Sequence, residues 1–270
     1  MPEGPEIRRA ADTLAKAVVG FPLEHAWFAK PDLRPYHDLL PGCRIESIVP
    51  RGKALLTQFE GGLTLYTHNQ LYGVWRIARP GGRPPSKRSL RVALDTRVKS
   101  ILLYSASDVA IWPTDRVHEH PLLQRLGPDV LDPKLTDLDV IERLQSKRFA
   151  GRHLAALLLD QGFLAGMGNY LRSEALFHAG VAAQRRPCDL NDAETAAVAK
   201  AAIAVAGRSY RSRGISPAKG MRDDYLDHSS DAFRFFVFDR AGEACLNCHS
   251  IIQRVELSGR RLYQCPQCQR

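Results

Sequence analysis

The chain has 270 residues, 44% of them hydrophobic and 25% charged. That composition excludes disordered, collagen-like and low-complexity classes, and at about 150 residues per domain it suggests about two domains. The longest strongly apolar stretch, Leu154 to Leu159, is far shorter than the ~20 residues of a membrane helix. Acids and arginines stand where a signal peptide would carry its apolar segment, so a cytoplasmic protein with no membrane partner is expected. The 38 basic residues exceed the 29 acidic ones by 9, a sign that favours a polyanionic partner, most commonly nucleic acid.

The first element is a helix over Pro5 to Val18, where Ile7, Ala11, Leu14 and Val18 form one apolar stripe before Gly20 stops it. Short β-rich runs follow, separated by Gly, Pro or Asn: LEHAWF, CRIESIV, KALLTQF, LTLYTH, GVWRI, LRVAL and SILLYS. They predict an all-β sandwich or barrel headed by one helix, residues 1–128. GPDVLDP, with its Gly127, Pro128 and Pro133, reads as a hinge over 129–135. A helical domain over 136–222 comes next. Thr136 begins one helix, Arg152 to Gln161 form a second, Asn169 to His178 a third, and Asn191 with Glu194 caps an Ala-rich fourth. The stretch Arg208 to Arg222 is basic and broken by Gly214, Pro217 and Gly220, and so reads as a connector. Residues 223–270 supply strand-like runs at FRFFVF, IIQRVEL and RLYQC.

Cys245, Cys248, Cys265 and Cys268 form two C-x2-C pairs sixteen residues apart, the spacing of a four-thiolate zinc site. Two disulfides are the alternative, disfavoured in a chain without a secretion signal. A hairpin this short needs the metal's binding energy to fold. With four Cys and no open coordination position, one structural zinc is expected. Cys43 and Cys188 stand alone and read as small buried hydrophobes.

Five other features could carry chemistry, and each has a plainer reading. Pro2 follows the initiator Met1, so Met removal would expose a secondary amine beside Glu3 and Glu6. An α-amine titrates near pH ~8, low enough for a nucleophile at neutral pH. The plainer reading is a helix-leading proline with acids suited to the helix dipole. Lys53, in PRGKALL, is either a solvated strand end or a cation aimed at substrate. In LAGMGNYL, Gly166, Gly168 and Asn169 open a helix as a possible phosphate site, or simply cap it. Gln70, Leu71 and Tyr72 in HNQLYG have the make-up of a wedge for a base stack, or pack back on the sheet. Arg260, beside Ser258 and Gly259 at the hairpin tip, could clasp a phosphate, as could Arg261, or both are solvated turn residues.

In this order, from PEGPEIRRA through RGKALL, HNQLYGVWR, LLYSASD, GPDVLDP and FLAGMGNYLRSE to the cysteine clip, the features resemble the formamidopyrimidine-DNA glycosylase and endonuclease VIII family along essentially the whole chain. HNQLYGVWR, in place of a Met- and Arg-bearing loop, points to the endonuclease VIII branch. The resemblance implies an α+β multidomain fold: an N-terminal β-sandwich with a leading catalytic helix, then a helix-two-turns-helix domain and a zinc-finger β-hairpin. It implies a monomeric glycosylase and abasic-site lyase acting on damaged double-stranded DNA, without an obligate protein partner. Pro2 would attack C1′ of a flipped nucleotide, Glu3 would shuttle protons, Lys53 would contact sugar and phosphate, and Glu6 would support the nucleophile. Asn169 and Arg260 would hold phosphates, with Arg261 a further DNA contact, and Gln70, Leu71 and Tyr72 would fill the vacated stack. Oxidised pyrimidines are the expected lesions, removed with β,δ-elimination. Oxidised purines, or a zinc-ribbon protein that binds nucleic acid without chemistry, are the alternatives. Two departures stand out: residues 214–232 are longer and differently composed than the family's loop, and Arg261 stands where a proline is expected.

Overall fold

The computed structural model describes residues 2–212, 214–217, 225–257 and 259–270. Met1, Ser258 and the middle of the 214–232 loop, all singled out above, lie outside the described residues. The chain divides into two compact units. One holds Pro2 and Glu6–Gln124, and the other holds Glu3–Pro5 and Arg125–Arg270, with the cysteine clip included in the second.

Helix α1 (Gly4–Val18), which belongs to the first unit from Glu6 onward, buries Ile7, Ala11, Leu14 and Val18. Eight strands follow: β1 (Leu23–Phe28), β2 (Ile45–Arg51), β3 (Ala54–Phe59), β4 (Leu63–His68), β5 (Val74–Ala78), β6 (Leu90–Thr96), β7 (Ser100–Tyr104) and β8 (Asp108–Pro113). They form two antiparallel four-stranded sheets, ordered β2-β3-β4-β8 and β1-β6-β7-β5. Ile45, Leu55, Phe59 and Leu65 of one sheet share a core with Phe28, Val92, Leu94, Ile101 and Leu103 of the other, and with Ala11, Leu14 and Val18. The result is a β-sandwich whose inner faces are supplied by side chains of both sheets. A second, smaller cluster of Val74, Ala93, Leu102 and Tyr104 lies on the outer side of the β1-β6-β7-β5 sheet, so β7 is buried on both faces.

β8 is a strand that the reading of the runs passed over; it completes the first sheet by pairing with β4. Lys53 is not in a strand. It occupies the two-residue turn between β2 and β3, where Arg51 pairs Ala54 and Gly52 takes φ +61°, as expected for glycine at the first corner of a II′ hairpin turn.

In the second unit, helices α2 (Asp137–Gln145), α3 (Asn169–Ala179) and α4 (Asp192–Arg211) pack around Val140, Leu144, Phe163, Leu171, Leu176, Val198 and Ala202. Both expected capping boxes are present. The side chain of Thr136 accepts from Asp139 N and that of Asn191 from Glu194 N, with the reciprocal bond made in each case. The expected helix over Arg152–Gln161 is instead a single helical turn, Leu154–Leu157. The N–H groups of Leu154 and Ala155 donate to Arg185 O and Ala183 O, so the start of the segment is tied to distant backbone, and at its end the Asp160 carboxylate takes the nearby Gly162 N at 2.7 Å. FRFFVF is also no strand: the N–H groups of Phe236, Val237 and Phe238 all donate to the fully buried Glu174 carboxylate. At the base of the 214–232 loop, Ile215 bridges both Leu226 and Phe233. Strands β9 (Gln253–Leu257) and β10 (Arg260–Gln264) form the closing hairpin. Its apolar residues Ile252 and Tyr263 pack with Phe177 of α3, Val237, Cys245 and Cys265.

Candidate active site

One end of the β2-β3-β4-β8 sheet gathers several chemistry-bearing residues of the first unit. The Lys53 turn precedes Ala54, which pairs His68, which in turn pairs Asp108. Burial lowers the His68 pKa, Asp108 pulls the other way, and the charge of Lys53 reinforces the lowering. The neutral ring accepts a hydrogen bond from Gln70 N at its Nδ1, 3.0 Å. That bond holds Gln70 at φ +49°, an uncommon conformation for a side-chain-bearing residue. Ser107 Oγ donates to Gln70 Oε1 at 2.8 Å, and Gly73 N closes the loop on Asn69 O at 2.7 Å. A Cβ at Gly73 would lie 2.5 Å from that same oxygen, so the loop requires glycine there. Leu71 and Tyr72 are left 51% and 68% exposed. They do not pack back on the sheet, and two large apolar side chains on a tied loop are available to a partner.

Below them, Tyr66 is fully buried, donates to Asp108 Oδ2 at 3.2 Å and stacks on His120 at 3.8 Å. Burial and the neighbouring Asp108 carboxylate push the Tyr66 hydroxyl pKa far upward, so it remains a donor. Pro2 is buried at the start of the chain, and Glu6, also buried, receives Arg9 Nη2 at 2.7 Å.

In the second unit Glu3 is only 4% exposed. Its carboxylate accepts from Tyr170 N at 2.9 Å and Leu171 N at 3.2 Å, first-turn N–H groups of α3 that have no carbonyl acceptor within the helix. The helix-start anion site foreseen for a phosphate is therefore filled on the backbone side by the chain's own carboxylate, whose charge the helix dipole favours. Gly168 permits the approach, since a Cβ there would stand 2.2 Å from Glu3 Cδ. Gly4 N anchors the same segment by donating to Gly166 O at 2.8 Å.

Sequence reasoning missed Arg172, which is fully buried. It donates to Ala155 O at 2.8 Å, to Asn169 Oδ1 at 2.5 Å and to Arg261 O at 2.9 Å. Desolvation brings its pKa down to about 10, against the favourable charge of Glu3 and with the unfavourable one of Arg260. One guanidinium thus fixes the Asn169 amide and the backbone of β10, bringing Glu3, Asn169 and the Arg260 strand into one network. The only sequence signal was an arginine inside the otherwise buried run of α3. Arg260 and Arg261 themselves are exposed, pairing Leu257 and Glu256 across the hairpin.

The four clip cysteines converge. Their sulfurs all lie within 4.8 Å of one another, with Cys245 Sγ to Cys268 Sγ at 3.8 Å and Cys248 Sγ to Cys265 Sγ at 3.4 Å. Thiolates at ~2.3 Å from a tetrahedral zinc would be about 3.8 Å apart, so the set fits such an ion and could hold one. Cys43 and Cys188 are half-buried and exposed respectively, which corrects the expectation that both are buried.

A β-sandwich followed by a helical unit, with a tied glutamate and a cysteine clip, defines the class. Residues 1–107 match the family model of the formamidopyrimidine-DNA glycosylase N-terminal domain, and residues 126–217 match that of the formamidopyrimidine-DNA glycosylase H2TH domain. The chain belongs to the formamidopyrimidine-DNA glycosylase and endonuclease VIII family. Within it, the chain is 52% identical to Endonuclease 8 of Klebsiella pneumoniae strain 342 and 51% identical to Endonuclease 8 of Escherichia coli K12, in each case over 100% of both chains. Membership makes it a DNA glycosylase with abasic-site lyase activity. Among solved structures, Lactococcus lactis Fpg bound to a DNA containing N7-benzyl-Fapy-dG shares the fold at TM-score 0.84 and 21% identity over 100% of both chains. The same protein with an oxidized-pyrimidine DNA matches equally, at TM-score 0.84 and 21% identity.

Proposed function

We propose that the protein removes oxidised pyrimidines from duplex DNA through an iminium formed at Pro2 and then cuts the strand by β- and δ-elimination. DNA as the partner is supported by the solved relatives of the same fold, which are DNA complexes. The observation that carries the chemistry is Glu3, a buried carboxylate seated on the α3 N-terminus and directly following Pro2.

In the proposed reaction the secondary amine of Pro2, freed of Met1, attacks C1′ of an extruded nucleotide. The N-glycosidic bond breaks and the base leaves with a proton. Glu3 takes the amine proton and relays it to the ring oxygen as the sugar ring opens to the iminium, the departing base having taken its own proton from solvent. A secondary amine gives an iminium with no N–H proton to lose, so it remains an electron sink. It acidifies the C2′ proton, whose removal expels the 3′-phosphate, and a second elimination expels the 5′-phosphate. Lys53 faces the sugar and its phosphate, and Glu6 supports the segment that carries the nucleophile. Asn169, pre-set by Arg172, and Arg260 hold the flanking phosphates, with Arg261 a further contact. Gln70, Leu71 and Tyr72 occupy the hole in the stack, which is cheapest to open at a damaged pair. Such contacts position DNA without reading its sequence. Zinc in the clip, held by Cys245, Cys248, Cys265 and Cys268, would be structural, stabilising the hairpin that carries Arg260. The protein acts as a monomer in the cytoplasm.

Borohydride reduction on duplexes carrying thymine glycol or 8-oxoguanine tests this reading. The expected result is a cross-link mapping to residue 2 by peptide mass, formed at least ten times faster with thymine glycol. Preference for 8-oxoguanine would shift the substrate to oxidised purines. Absence of any adduct would leave only a DNA-binding protein.

A further inference from the structure

The segment joining β5 to β6, residues 79–89, lies outside the machinery described above. From Gly61 to Leu94 there is no acidic residue, whereas Arg76, Arg79, Arg83, Lys87, Arg88 and Arg91 fall within sixteen positions. Charge runs of this kind are ordinarily solvated loops, but three tethers fix this one. Gly81 N donates to Ser100 Oγ at 2.9 Å. Arg83 grips the buried Asp95 in a two-point pair at 2.9 and 2.6 Å. Arg88 Nη1 donates to the carbonyl of Tyr72 at 2.8 Å. Arg83 is thereby neutralised and Arg76 lies over the Tyr104 ring at 5.6 Å, while Arg79, Lys87 and Arg91 are exposed and form no ion pair among the described residues.

We propose that this strap, together with Arg91 at the start of β6, is a second phosphate-binding surface that grips the backbone of the duplex from the Gln70–Tyr72 wedge outward, through Lys87, Arg91 and Arg79. The inference rests on the proposed entry of that wedge into duplex DNA. Arg88 bonds the main chain of Tyr72 itself, so a residue lodged in the stack draws the strap to the duplex. A duplex carries one phosphate per ~1.7 Å of axis, so Lys87 and Arg91, within a few residues of Arg88, meet phosphates next to the wedge, and Arg79, beyond the far end of β5 where Ala78 pairs Ser100, meets them farther along the duplex. Because the strap is tied down at the sheet and at the wedge loop, little ordering entropy remains to be lost on contact. Nothing in the strap is arranged to read bases; its contribution is electrostatic and independent of sequence.

The test is the salt dependence of binding to a 25-base-pair duplex containing a tetrahydrofuran abasic analogue, comparing the wild type with the triple variant Arg79→Ala, Lys87→Ala and Arg91→Ala. Each phosphate neutralised contributes about 0.9 to the slope of log K against log salt, so three contacts predict a slope shallower by about 2.7 in the variant. Between 50 and 200 mM salt, the wild type then loses roughly 40-fold more affinity than the variant. A charge-preserving variant, Arg79→Lys with Arg91→Lys, keeps the wild-type slope. An unchanged thermal midpoint confirms that the triple variant is folded. Equal slopes for wild type and triple variant, in a wild type that still cuts damaged duplex, would overturn the strap alone. A wild type that neither binds nor cuts the duplex would overturn both readings. A slope change confined to a single-stranded probe also refutes a duplex grip.

Discussion

Replacing Gly168 by Ala isolates the seat of Glu3. Gly168 has φ −147° and ψ −159°, extended backbone that alanine adopts without strain, so the substitution acts through space alone. The new methyl group would lie 2.2 Å from Glu3 Cδ, 2.4 Å from Oε1 and 2.6 Å from Cγ, distances that leave the carboxylate no room. Glu3 must then give up its bonds from Tyr170 N and Leu171 N. Hydrogen bonds to a charged group contribute roughly 1.5–3 kcal/mol each, so losing both costs about 3 kcal/mol or more. For a body of 150–250 residues that corresponds to a fall of about 6–12 °C in Tm. Urea and thermal unfolding of four proteins, the wild type, Gly168→Ala, Glu3→Ala and the double variant, measure the coupling. With Glu3 truncated to Ala the methyl group has space, and Gly168→Ala then costs under about 1 kcal/mol, giving a coupling of about 2 kcal/mol. Borohydride trapping on an abasic duplex is expected to fall with Gly168→Ala, and with Glu3→Ala as well. Should Gly168→Ala cost as much in the Glu3→Ala background as in the wild type, the seat described for the carboxylate is wrong.

Further outcomes are expected elsewhere in the molecule. Arg83→Ala leaves the buried Asp95 carboxylate without its guanidinium. Breaking a buried pair costs about 3–5 kcal/mol, and since Arg83 is partly exposed the loss should fall at or below the lower figure, as read by urea unfolding at pH 7. Burial alone would raise the Asp95 pKa, but hydrogen bonds from Arg83 and Ser100 and the charge of Arg83 hold it below 3.8. Its contribution is therefore complete above 3.8 and is lost as pH falls from there through the lower folded-state value, so the gap between wild type and Arg83→Ala should close over that acid range. For His68, whose folded pKa lies below 6.5, the neutral ring that accepts Gln70 N is lost as pH drops from 6.5 through that lower value. Hydrogen exchange at the Gln70 amide, corrected for its intrinsic pH dependence, should lose protection on acidification, and His68→Ala should abolish both the protection and its pH dependence. Elemental analysis should find one zinc per chain. Its removal by a strong chelator should unfold the 245–268 hairpin and depress DNA binding, while β-sandwich circular dichroism persists.

Local chemistry decided much of this protein in the sequence itself. The β-rich runs became strands between the Gly, Pro and Asn breaks that separate them, and LEHAWF and LTLYTH have the limits read from the sequence. Thr136 and Asn191 start their helices because a side-chain acceptor and an acid three residues on satisfy the first N–H groups within one turn. The C-x2-C spacing likewise brings its four sulfurs together on one hairpin.

Partners far apart in the chain settled what the sequence left open or suggested wrongly. Leu154 to Leu159 has the composition of a helix, yet Leu154 and Ala155 bond the backbone of residues 183–185. FRFFVF has strand propensity, yet Glu174, more than sixty positions away, takes its N–H groups. The start of α3 was suited to any anion, and only folding put Glu3 there from 167 positions upstream. Buried Arg172 joins Asn169 to β10 in the same way. Propensity and capping act over a few residues, whereas a buried N–H or charge must be satisfied by whatever group the folded chain delivers. That is why the elements could be read in order but the wiring of the site could not.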